Sequence, residues 1–117
     1  MKLTELTFSD AQPVDGYGPG FFRVAGEIFE GPVTVHAQGV QPWGGFEDAE
    51  SLIALRGELD FVLVGMGADM RPVPKDFREA MEAAGLGVEP MQTPTACRTY
   101  NVLASEGRRV AVALIPV

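Results

Sequence analysis

The sequence is poor in the residues that carry most protein chemistry. Its 117 residues include one cysteine, Cys97, and one histidine, His36. A single cysteine excludes an intrachain disulfide and a zinc site built from several thiolates. Cations are scarce as well: nine Lys and Arg stand against sixteen Asp and Glu, for a net charge of −7. That balance opposes general attraction to nucleic acid or anionic lipid, and solubility accounts for it without a function. Long apolar runs are missing. The longest, from Val110 to Val117, is far too short to span a bilayer. The opening Met1-Lys2-Leu3-Thr4-Glu5 lacks the basic-then-apolar layout of a signal peptide. The expectation is one cytoplasmic domain over residues 1–117, without membrane insertion, metal or cofactor.

What is present organises around Phe61 to Gly67. Phe61-Val62-Leu63-Val64 suits a strand covered on both faces. Gly65-Met66-Gly67 then ends the run as a turn. Glycine there permits backbone angles that a side chain forbids and lets another backbone or a ligand come close.

Upstream, Leu3 to Phe8 alternates as a half-exposed strand, and Asp10 to Gly20 reads as a loop. Phe21 to Phe29 reads as a strand with Phe22, Val24 and Ile28 on one face. Glu30-Gly31-Pro32 turns into a strand with Val33, Val35 and Ala37 inward and Thr34, His36 and Gln38 outward. Gln41 to Gly45 is a loop holding Trp43, which with Phe46 either plugs one end of the core or forms a recognition patch. A helix starts at Glu47, with Glu47, Asp48 and Glu50 as a solvated first turn and Gly57 as its stop.

Downstream, Phe77, Ala80, Met81 and Ala84 recur at helical spacing until Gly85. Leu86 to Pro90 is a short strand. Thr93-Pro94 opens a third helix as cap and first-turn proline. Val110 to Ile115 is a final buried strand. The fold class is therefore α/β: an N-terminal antiparallel meander, then α-β-α-β-α-β, with helices flanking a mixed central sheet. Ligands of open α/β sheets tend to sit beyond the carboxyl ends of the strands. The Gly65 turn and the start of the Thr93 helix should meet at such an edge.

No catalytic constellation is visible. Gly65, Met66 and Gly67 could bind an anion through backbone N–H groups, or simply let the strand leave the sheet. The run is neither a dinucleotide fingerprint nor a P-loop. Arg98 and Asn101, three apart, share a helix face. They could clamp a carboxylate or phosphate beside the turn, or tie the helix to neighbouring loops. Tyr100 should pack with Leu103 while its hydroxyl finds one partner. Arg98 beside Cys97 could lower the thiol pKa, but no base pairs with it, and the residue reads as a small buried hydrophobe.

Three stretches together resemble a known family. They are Val64-Gly65-Met66-Gly67, Gly87-Val88-Glu89-Pro90-Met91, and Thr93 to Ala111 with its Arg98-Thr99-Tyr100-Asn101 core. Gly39-Val40-Gln41-Pro42-Trp43 is similar to the family's Gly-Val-x-x-Trp. The family is a widespread one of unknown function whose members include the mitochondrial complex I assembly factor 3 and an adipogenesis-associated protein. The resemblance implies a single α/β domain and an assembly or protein-binding role without a defined reaction. Where the family often has Gly-Thr-Gly, this chain has Gly65-Met66-Gly67, which favours a backbone role over a hydroxyl role at that position.

Overall fold

The computed structural model describes residues 6–7 and 10–117. Among them, the strands are β1 (Leu6–Thr7), β2 (Val14–Gly18), β3 (Phe21–Val24), β4 (Glu27–Glu30), β5 (Val33–His36), β6 (Gly39–Pro42), β7 (Phe61–Met66), β8 (Gly87–Met91) and β9 (Val110–Ile115). The α-helices are α1 (Glu50–Ile53), α2 (Lys75–Ala83) and α3 (Thr93–Ser105). A six-stranded sheet has the order β1-β6-β5-β9-β7-β8, and a three-stranded sheet the order β2-β3-β4. The large sheet is mixed: β1 through β9 pair antiparallel across β6 and β5, whereas β9, β7 and β8 run parallel. The small sheet is an antiparallel meander. The expected α/β class and strand–helix order are both present.

β7 and β9 lie inside the sheet and are covered on both faces, which is why their sequences are almost unbroken apolar runs. Successive side chains point to opposite faces. Leu63, Val112 and Leu114 face one core, completed by Phe22 and Phe29 of the small sheet and Tyr100 of α3. Val62, Val64, Ala111 and Ala113 face a second core, completed by Trp43, Leu52, Phe77 and Met81. α2 and α3 thus cover opposite faces. Strand order explains this: the chain leaves β7 for β8 on one side, then crosses back past β7 to β9. Two crossovers of the same hand in opposite directions put their helices on opposite faces. β8 carries Pro90, opposite Val64, and is one of the two edge strands of the large sheet.

Several local expectations are corrected. The single strand over Phe21–Phe29 is a hairpin, because Ala25 and Gly26 turn with φ of 52° and 80°. Phe22 therefore pairs with Phe29, which is buried, and Ile28 points outward, 49% exposed. Val14 to Gly18, expected in a loop, forms β2; pairing with β3 overrides the low strand preference of its glycines. Ala37 and Gln38 leave the strand to turn into β6, which takes in Gln41 and Pro42. Thr34 and His36, expected on a polar face, are buried because β5 is an interior strand. The helix expected from Glu47 breaks into a 3-10 turn at Gly45–Glu47, the short α1, and a 3-10 turn at Arg56–Glu58. The strand expected over residues 3–8 lies outside the described residues except for Leu6–Thr7.

Candidate functional site

The carboxyl ends of β7 and β9 meet the start of α3 around Thr93. Two changes of detail come with this meeting. Thr93 is the first residue of α3 rather than its cap; Gln92 holds the cap position and makes no side-chain capping bond. The Thr93 hydroxyl is thereby free to leave the helix. Its Oγ1 accepts the Gly67 N–H at 2.8 Å and donates to the Ile115 carbonyl at 2.6 Å. The Thr93 N–H in turn donates to the Gly67 carbonyl at 2.9 Å. One fully buried residue thus joins the ends of two strands to the start of one helix. Gln92 extends the join, donating from Nε2 to the Ala68 carbonyl at 2.9 Å.

The two glycines serve this junction for different reasons. Gly67 has φ of +92°, a left-handed conformation that favours glycine. Gly65 lies within β7, so positive φ is not its reason. A Cβ on Gly65 would stand 2.7 Å from Thr93 Oγ1 and 2.8 Å from Leu114 Cδ2. Close approach is what requires glycine there. Met66 between them is buried and packs into the second core.

Asn101, next to Tyr100 and one helical turn past Cys97, reaches the small sheet. Its Nδ2 donates to the Val14 carbonyl at 2.9 Å, and the Val14 N–H donates to its Oδ1 at 2.8 Å. This pair of bonds fastens α3 to the start of β2. Arg98 is exposed, with one guanidinium nitrogen 3.4 Å from Thr95 Oγ1. Gly65, Met66, Gly67 and Thr93 are thus brought together. Asn101 is directed to Val14, and Arg98 lies at the surface of the same helix.

Burial dominates the titration of Cys97 and Tyr100. Cys97 is buried, and desolvation pushes its thiol up to about 11 against the opposing pull of Arg98. Burial alone pushes the Tyr100 hydroxyl up; among the described residues it has no hydrogen-bond partner, contrary to expectation. Asp48 behaves differently. Desolvation raises its pKa, but hydrogen bonds from the Gly44 N–H and from the Ser51 hydroxyl and N–H outweigh it, and the net shift is downward. Its carbonyl also accepts from Trp43 Nε1 at 3.0 Å. Asp48 is therefore the anchor of the Trp43 loop, not part of a solvated helix start. Trp43 plugs the second core, edge-on to Phe46 and Phe77. Among the described residues, no group of three or more His, Cys, Asp or Glu is placed to hold a metal.

Thr93 and Asp48 are the positions that sequence reasoning missed. The signal for Thr93 was a threonine at the strand-to-helix junction, which also fits an ordinary cap. The signal for Asp48 was its place after Gly44-Gly45 with Ser51 three residues on, an arrangement suited to side-chain bonds to nearby N–H groups.

These features define an α/β domain whose mixed sheet is pinned at its strand ends by a helix-borne hydroxyl. The chain belongs to the family described as "protein of unknown function (DUF498/DUF598)", whose model matches residues 14–115. An uncharacterised protein of Rhodobacter capsulatus is 52% identical over 117 residues, covering all of this chain and 94% of its own length. The mouse protein named NADH dehydrogenase [ubiquinone] 1 alpha subcomplex assembly factor 3 is 32% identical over 123 residues. That match covers 99% of this chain, but the chain spans only 66% of the mouse protein. A crystal structure described as an outer membrane protein from Bartonella henselae superposes with a TM-score of 0.84 at 28% identity, over 94% of this chain and 98% of that one. Among the described residues, no helix is long and apolar enough to cross a membrane.

Proposed function

We propose that this chain is a non-enzymatic protein-binding module of the assembly-factor type, acting in the cytoplasm. The observation that carries this reading is its likeness to the named assembly factors across 99% of its length. The chemistry of the fold supports it. The most nucleophilic side chain, Cys97, is buried and held protonated, and the hydroxyl of Thr93 is engaged by two strand ends. The test is affinity capture of the tagged chain from its own cells under cross-linking. One defined protein partner, recovered in stoichiometric amount, is expected. A chain that runs alone in native extract and turns over a small molecule sinks the proposal.

A second reading keeps an anion contact at the exposed Arg98 guanidinium, while the Gly67 N–H and the Asn101 amide of the expected Gly65, Met66, Gly67, Arg98 and Asn101 site are already engaged by Thr93 and Val14. The exposed Arg98 guanidinium favours it, since its contact with Thr95 is long and weak at 3.4 Å. Thermal-shift screening separates the two. An anion that stabilises the wild type but not Arg98→Ala supports this second reading.

A further inference from the structure

We propose that the cleft between the Phe46 turn and α2 docks a cationic amphipathic helix of a partner protein. The proposal deepens the protein-binding reading and rests on it. The cleft holds about 760 Å³ and is open to solvent. Its apolar floor is Phe46, Ile53, Phe77 and Ala80. Phe46 and Phe77 stack edge-on with centroids 5.2 Å apart, and Phe46, Ile53 and Ala80 remain only half-buried. Covering them removes further apolar surface from water.

Charge decides the occupant. Among the described residues, the lining contributes Glu47, Asp48, Glu50 and Asp76 and no Lys or Arg. Asp48 is engaged with the Gly44–Ser51 backbone, but Glu47, Glu50 and Asp76 are exposed. The nearest cations on α2 are directed along that helix: Lys75 to Glu79 at 3.6 Å and Arg78 to Glu82 at 3.9 Å. An apolar floor with a carboxylate rim matches a helix that carries apolar residues on one face and Lys or Arg beside them. Such a helix lying in a groove is anchored by residues at i, i+3, i+4 and i+7. Here the groove runs between α1 and α2. The exposed rim gives on-rate and orientation, and the floor gives retention.

The probe is a fluorescein-labelled leucine/lysine peptide of about 18 residues, amphipathic when helical, followed by polarisation. A scrambled peptide of the same composition and a leucine/glutamate counterpart serve as controls. The leucine/lysine peptide is expected to bind, the controls at least about tenfold more weakly, and added salt to weaken the complex. Ala80→Trp fills the floor without changing charge and should weaken binding about tenfold. Glu50→Lys on the rim should weaken it several-fold. Glu106→Lys, at the end of α3 on the opposite face of the sheet, makes the same charge change and should leave it unaltered. Equal binding of the scrambled peptide, equal loss with Glu106→Lys, or full displacement by spermine overturns the proposal in favour of unspecific charge attraction or a small cation. Unchanged binding by both Ala80→Trp and Glu50→Lys overturns it as well. The same variants enter the partner capture. A cellular partner retained by Ala80→Trp and Glu50→Lys sinks the groove and leaves the module reading intact. Peptide binding at the groove without any cellular partner sinks the module reading, and with it the partner whose helix the groove would take.

Discussion

The junction at Thr93 and the cleft at Phe46 lie on different sides of one sheet and are built on opposite terms. At the junction every polar group described has a partner within 2.6–2.9 Å, and Gly65 has no room for a methyl group. At the cleft three carboxylates face water above half-covered aromatic and aliphatic side chains. The junction occupies the sheet edge where open α/β folds tend to bind ligands, yet protein atoms fill it. The cleft has short, irregular helical turns for one wall and α2 for the other. The contrast teaches that the residues most conspicuous in the chain can be spent on holding it together, while unremarkable acidic turns line the space that remains.

Substitutions at four positions test this contrast, in descending order of expected effect. Gly65→Val should lower stability most, by about 3–5 kcal/mol, because the added Cβ alone already meets Thr93 and Leu114 in packed surroundings. A melting temperature near that of the wild type would show that the junction yields easily. Thr93→Val keeps the shape but strands the Gly67 N–H and the Ile115 carbonyl, at a cost of about 2–4 kcal/mol by urea denaturation. Thr93→Ser should recover most of that loss; failure to do so would shift the credit from the hydroxyl to the methyl group. Asn101→Ala leaves both Val14 backbone groups to water and should cost about 1–2 kcal/mol. Glu50→Lys, an exposed rim change, should alter stability by no more than about 0.5 kcal/mol. A large loss there would make the cleft part of the structural frame and erase the distinction.

Much of this frame was legible in the chain. The unbroken apolar runs of β7 and β9 announced interior strands, and the spacing of Phe77 and Met81 announced the buried side of α2. The convergence of Gly67 with the start of α3 followed from the order of elements. The Ala25-Gly26 turn was hidden because alanine rarely adopts positive φ and the lone Gly26 falls in step with Phe22, Val24 and Ile28. The burial of Thr34 and His36 depends on which strands flank β5, a long-range fact that local alternation does not carry. The role of Thr93 was masked for a similar reason. Its hydroxyl bonds to residues 26 and 22 positions away, whereas cap statistics describe only its own helix.

The β8 edge bears on how this molecule meets others. Pro90 in β8 has no amide hydrogen, so a foreign strand laid alongside would find a gap in the ladder at that point. Fibre-like stacking through this border is thereby discouraged. Association along this flank falls instead to side chains, which can be tuned one at a time without disturbing the sheet.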